Sequence, residues 1–157
     1  MERVDLVVKA KYVVTLSNPL VIVDGAIAIR DGVIVGVGRE SDVLSRYRGE
    51  EVVERKNHVV VPGFVDGHVH MQQFFLRISI TDYYLQLPPI WTEYLIPFEE
   101  ELDRGLAYLS SIASLALMVK GGTTFFVEAG APYPEELVRA AGEIGAKGVV
   151  TYSSFDV

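Results

Sequence analysis

The chain has 157 residues, with 14 Lys and Arg against 21 Asp and Glu, a formal net charge of -7, and half of its residues hydrophobic. That composition supports a packed core, and the acidic balance argues against nucleic acid or an anionic membrane as partner, since both demand clustered positive charge. Cysteine is absent, so disulfides, thiolate metal sites and cysteine nucleophiles are excluded, and a reducing cytoplasm is the expected compartment.

Residues 1–60 are predicted to be β structure. Val4–Leu16 and Val21–Ile29 carry β-branched runs, and Asp31-Gly32 stands between Ala26–Ile29 and Val33–Val37. Asp-Gly between alternating apolar runs predicts a hairpin, because a two-residue turn of matching twist needs positive φ. Lys9 and Lys11 interrupt the first run, so it reads as a strand and not as a secretory leader. Ser41 is placed to cap a short helix through Tyr47. Glu51–Glu54 and His58–Val61 then resume strand character, with a boundary near Arg55–Asn57.

From Val59 the character changes. Val59-Val60-Val61, Pro62-Gly63 and Phe64-Val65 make a nearly continuous apolar run, as expected of a parallel strand buried on both faces. Tyr83–Pro97 is an irregular, aromatic-rich insertion holding Pro88-Pro89 and Trp91. Glu99–Val119 predicts a long helix, opened by acids and closed by Lys120 and Gly121-Gly122, with Asp103 and Arg104 on its solvated face. Thr123–Val127 is the next strand. Pro134 opens a helix to about Ile144 with Glu135 and Glu136 in its first turn, Gly145 closes it, and Gly148–Tyr152 is a further strand. This alternation predicts parallel βα units. No stretch stays apolar for about 18 residues, so no membrane-spanning helix is expected.

The chemistry centres on His68 and His70. On a strand, residues two apart project from one face, so both imidazoles reach a single metal ion. Neutral imidazole suits Zn²⁺ and also Fe²⁺. Asp66 shares their parity and is placed to accept from a histidine and fix its tautomer. A bare His-x-His pair also occurs on ordinary strand surfaces; the compound run Pro62-Gly63-Phe64-Val65-Asp66-Gly67-His68-Val69-His70 is far more specific.

That run resembles the amidohydrolase superfamily, whose barrel opens with a Pro-Gly-apolar-apolar-Asp/Asn-x-His-x-His strand. The Asp31-Gly32 hairpin and Val37-Gly38 are similar to the β-sandwich that precedes the barrel there. Gln73, Leu76-Arg77, Asp82, Trp91, Pro97-Phe98-Glu99 and Gly122-Thr123-Thr124 follow in the order of the branch that deaminates or dechlorinates nitrogen heterocycles. Departures fall in the insertion: Arg77-Ile78 where Arg-Gly is usual, Thr81-Asp82 where two acids are usual, and one residue fewer between Trp91 and Pro97.

The resemblance implies an α/β fold: a β-sandwich segment over residues 1–60, then the first three β/α units of an incomplete TIM-type (β/α)8 barrel over 61–157. It implies one divalent metal ion, zinc first and iron second, on His68 and His70. The implied reaction is hydrolysis of a C–N bond in a purine-like heterocycle by metal-activated water. Ring amide opening, chloride loss, or a non-catalytic subunit are the alternatives. Glu99 is either a ligand of ribose hydroxyls or an acidic helix start; Trp91 either stacks on a heterocycle or plugs its own loop. Gln73 is placed to hydrogen-bond ring nitrogens, Glu128 is structural, and His58 is a rim residue. A barrel takes about 250 residues, and a hydrolytic zinc site about three protein ligands and a water. The missing ligands and the proton-shuttling carboxylate are therefore expected outside this chain, which implies a completing chain or self-association.

Overall fold

The computed structural model describes residues 1–80 and 90–153. Thr81-Asp82, Pro88-Pro89 and most of the expected insertion before Trp91 lie outside the described residues. The chain divides into two compact units, Met1–Pro62 and Gly63–Val157.

In the first unit, β1 (Glu2–Val14), β2 (Val21–Arg30), β3 (Val33–Arg39) and β4 (Tyr47–Val60) form one sheet in the order β3-β2-β1-β4. The β1–β2 and β2–β3 pairs are antiparallel, while β1 and β4 run parallel. Asp31 and Gly32 both take positive φ, 51° and 73°, and bring Arg30 opposite Val33. This is the backbone that a two-residue hairpin needs and that Asp-Gly tolerates.

Helix α1 (Glu40–Arg46) buries Val43 in a cluster with Val4, Val7, Ala26 and Ala28. The described residues of this unit therefore hold one sheet covered in part by a helix. Ser41 is not the cap. Arg39 occupies that position without a side-chain bond, and the Ser41 hydroxyl donates to Asp42 instead, at 3.3 Å. The expected break near Arg55–Asn57 is also absent, since β4 is one strand. Ala10 pairs with Arg55 but Tyr12 with Val59, so the polar residues between are taken up as a bulge.

In the second unit, β5 (Phe64–Val69), β6 (Thr123–Glu128) and β7 (Lys147–Val149) form a parallel sheet in that order. Helix α4 (Arg104–Lys120) precedes β6, and α5 (Pro134–Ile144) joins β6 to β7. Leu115 of α4, Phe126 of β6 and Leu137, Ala140 and Ala141 of α5 close the core with Met71. Gly145, at φ 76°, ends α5 in the left-handed conformation that glycine accepts without a Cβ penalty. Between β5 and α4 lie a 3-10 turn (Met71–Gln73), α2 (Leu76–Ser79), a π-helical turn (Trp91–Leu95) and α3 (Ile96–Glu100).

Three expectations are corrected here. The apolar run from Val59 to Val65 is two strands, because Pro62-Gly63 separates β4 from β5. Phe64 and Val65 are 57 % and 67 % exposed rather than buried on both faces, since the core cluster of this unit takes Val69 from β5 and neither of them. The long helix is likewise two, with α4 turned by 112° from the segment Trp91–Glu100. Asp103 makes the break: its backbone is extended and its carboxylate accepts the Leu106 N–H at 2.7 Å. It is solvent-exposed as expected, but stands as the N-cap ahead of α4 rather than on a helix face. Arg104 is likewise engaged, with Glu135 at 2.6 Å and Glu136 at 3.2 Å on α5. The last strand is Lys147–Val149 in place of Gly148–Tyr152, because among the described residues Phe125–Val127 alone offer it partners; Tyr152 makes a single bridge to Ala131. Among the described residues, no single helix is long and apolar enough to cross a membrane.

Candidate active site

The C-terminal ends of β5 and β6 lie side by side, with Val69 opposite Glu128. His68 is on β5 and His70 is the first residue beyond it. Their rings meet edge to face, 5.2 Å between centroids and 77° between planes, so both side chains leave on one side, as their spacing predicts. Ser114 of α4 holds the turn beneath them, its hydroxyl donating to the Met71 carbonyl at 2.8 Å.

Asp66 does not orient an imidazole. Its Oδ1 accepts the backbone N–H of His68 at 3.2 Å, which stiffens the strand end. The carboxylate beside a histidine ring is that of Glu128, 1 % exposed. Its Oε2 accepts the Met71 N–H at 2.8 Å, and its Oε1 accepts the Gly130 N–H at 3.3 Å. The same Oε1 lies 3.8 Å from Nδ1 of His70, a buried nitrogen that has no hydrogen-bond partner among the described residues. Burial pushes the Glu128 carboxyl up to about 7, against the opposing pull of the Met71, Gly130 and Ala129 N–H groups, and the Glu99 charge adds to the rise. The bonds to Met71 and Gly130 fit the structural part expected of Glu128, while its place beside His70 was not expected. The available signal was an acid closing the apolar strand Thr123–Val127.

A cleft of about 390 Å³ opens in front of the histidines. His68, His70, Gln73, Trp91 and Glu99 all line it, so the five sequence-selected side chains share one space. Glu99 is 8 % exposed, which removes it from the class of solvated helix-start acids. Its Oε1 accepts from Nε2 of Gln73 at 2.7 Å. Trp91 is 47 % exposed and stands on the cleft wall rather than buried inside its own loop. The neighbouring Gln72, 2 % exposed, faces the other way. It exchanges two hydrogen bonds with the Tyr133 backbone, accepting the N–H at 3.0 Å and donating to the carbonyl at 2.7 Å. His58 is exposed on β4 and belongs to the other unit.

The residues present fit part of a metal site. Two imidazoles on one side, with a buried Nδ1 beside a carboxylate, match the way metal-binding histidines are held through their second nitrogen. Among the described residues, no group of three His, Cys, Asp or Glu is placed to hold a metal ion. The pair supplies two ligands of a site that takes about three.

Comparison with known proteins bears on the same residues. The amidohydrolase family pattern matches residues 59–157. The 5-methylthioadenosine/S-adenosylhomocysteine deaminase 1 of Syntrophus aciditrophicus is 32 % identical over 99 % of this chain and 35 % of its own length. An adenosine deaminase from Xanthomonas campestris, solved with bound zinc, superposes with a TM-score of 0.82 at 28 % identity, covering 95 % of this chain and 34 % of that one. An atrazine chlorohydrolase from Arthrobacter aurescens TC1, complexed with zinc, shares the fold with a TM-score of 0.74 at 17 % identity, over 91 % of this chain and 34 % of its own. The chain thus spans about a third of the length of the relatives it matches. With its His-x-His strand end inside the matched segment, this chain belongs to the amidohydrolase family.

Proposed function

We propose that this chain contributes to a metal-dependent hydrolase that removes an amino group from a purine-like or related nitrogen heterocycle. The observation that carries the reading is the convergence of His68 and His70 with the Gln73–Glu99 pair and Trp91 in one cleft. The relatives named as deaminases support this reaction class.

His68 and His70 would hold one divalent ion, zinc first and iron second. When bound, such an ion supplies the nucleophile at neutral pH by lowering the pKa of water to about 7. The chain's own residues then bind and orient. Trp91 offers its indole face to a flat ring. Glu99 accepts from ribose-like hydroxyls. Gln73, aligned by its bond to Glu99, presents its carbonyl oxygen and second N–H to the ring edge.

The same reading assigns the parallel β5-β6-β7 sheet to the first three units of a (β/α)8 barrel, and residues 1–60 to a β-sandwich segment before it. Helix α4 supports this. Leu109, Leu117 and Val119 are exposed on a helix that also buries Ala107 and Leu115, as in helices apolar all round that larger proteins cover on more than one side. The remaining ligands and a proton-transferring carboxylate are assigned to the rest of a protein of the relatives' length, to a completing chain, or to a self-associated copy. The acidic charge balance supports a small-molecule substrate over nucleic-acid or membrane partners; a cytoplasmic place is part of the same reading.

The test is ammonia release by the zinc-loaded full-length protein from aminopurine nucleosides and free aminopurines, with chlorinated triazines in parallel. Deamination that disappears on chelation and in His70→Ala is expected. Chloride release alone, or no turnover of any heterocycle by the zinc-loaded protein, overturns the proposal.

A further inference from the structure

We propose that Glu128 is the positioning residue of the metal centre: it receives the Nδ1–H of His70 and so reserves Nε2 for the metal. The inference rests on the reading of His68 and His70 as metal ligands, and adds a residue from a second strand. Three observations carry it. The Nδ1 atom of His70 is buried and has no hydrogen-bond partner among the described residues. The Oε1 of Glu128 lies 3.8 Å away, about an ångström beyond a charge-assisted hydrogen bond. The carboxylate cannot drift, because Met71 and Gly130 donate to its two oxygens at 2.8 Å and 3.3 Å.

An imidazole with one nitrogen buried against an acceptor has one tautomer available for ligation. Nδ1 keeps the proton, and Nε2 carries the lone pair. Against the ionised Glu128, the opposite tautomer would set the Nδ1 lone pair against a carboxylate oxygen and put N–H on the nitrogen left for the metal, where it binds no cation. Two carboxylates were available for this task by sequence. Asp66 has the right parity but is engaged with the His68 backbone. Glu128 lies 58 residues beyond His70 in the chain and becomes adjacent only because β5 and β6 pair with Val69 opposite Glu128.

Glu128 also ties two backbone N–H groups together, so its removal tests stability as well as tautomer. Glu128→Gln separates the roles. The amide keeps an oxygen for the Met71 N–H, the shorter of the two backbone bonds, and presents NH2 at the second position, which can accept neither from His70 nor from the Gly130 N–H; thermal unfolding reads that second loss. The experiment uses the full-length protein with ¹⁵N-labelled histidine. It reads the His70 tautomer from long-range ¹H–¹⁵N couplings, zinc affinity by competition with a chromophoric chelator, and thermal unfolding.

In the wild-type protein neutral His70 is expected as the Nδ1–H form. Glu128→Gln is expected to remain folded, to shift His70 toward Nε2–H, and to bind Zn²⁺ about 10- to 100-fold more weakly. An Nε2–H tautomer in the wild-type protein overturns the proposal without any variant. Unchanged tautomer and zinc affinity in Glu128→Gln overturn it while leaving the metal site standing. If His70→Ala takes up Zn²⁺ as tightly as wild type, the metal reading itself falls, and the positioning role with it.

Discussion

Gln73 and Glu99 are joined by a 2.7 Å hydrogen bond across 26 residues of sequence. The bond links the turn after β5 to α3, so the ends of two separate segments face one cleft as a unit. The amide N–H engages one carboxylate oxygen and leaves the second as an acceptor for a pair of hydroxyls. The pair therefore reads as a prepared surface for a polyol edge.

Glu99→Gln is accordingly expected to raise KM for nucleosides about 10- to 100-fold, the worth of a hydrogen bond to a charged group, while free bases change little. Steady-state kinetics with a nucleoside and its base would check this. Equal effects on both would return Glu99 to a purely structural pairing with Gln73.

His68→Ala and His70→Ala should each strip the metal and take turnover to background. Loss of a supporting residue typically costs only about 10- to 100-fold, so the two classes separate on one plot. Elemental analysis of the purified variants is the direct measurement. Full zinc occupancy in both would remove the pair from the site.

Glu128 makes stability depend on pH in a definite direction. Its carboxyl is raised by burial to about 7 in the folded chain, above an unfolded value of about 4.3. The folded state then holds the proton more tightly, so the contribution is fully present below about pH 4.3 and is lost as pH rises through about 7. The span corresponds to an upper bound of about 4 kcal/mol. Denaturation of the metal-free protein between pH 4.5 and 8 should show the decline, and Glu128→Gln should flatten it. An unchanged slope in the variant would assign the decline elsewhere.

Asp103→Ala should cost about 1 kcal/mol, the usual worth of an N-cap, and Asp103→Asn only a few tenths. Urea denaturation would measure both. A neutral alanine variant would mean that Leu102, 4 % exposed at the same corner, fixes the turn without help.

What the sequence made legible were features written in local periodicity. The His68–His70 pair needs only the two-residue repeat of a strand, and the Asp31-Gly32 turn only its backbone preference. The break before α4 was hidden because Glu99-Glu100-Glu101 imitate a helix start, while the true cap, Asp103, sits two residues later. The burial of Glu99 and Glu128 was not legible, since each is set by partners 26 and 57 residues away, Gln73 and Met71. Hydrophobic pattern records which face is apolar; it carries no trace of which carboxylate a distant N–H will reach.

The two glutamines at 72 and 73 have opposite freedoms. Gln72 is closed on both amide ends by the Tyr133 backbone, as if it were one rung of a sheet, and a shorter or apolar side chain there leaves an N–H and a C=O stranded. Gln73, one residue on, faces the cleft. A library aimed at new substrates varies position 73 together with its partner Glu99 while position 72 is kept constant, so the border between what can be redesigned and what must be preserved runs between two identical letters of the sequence.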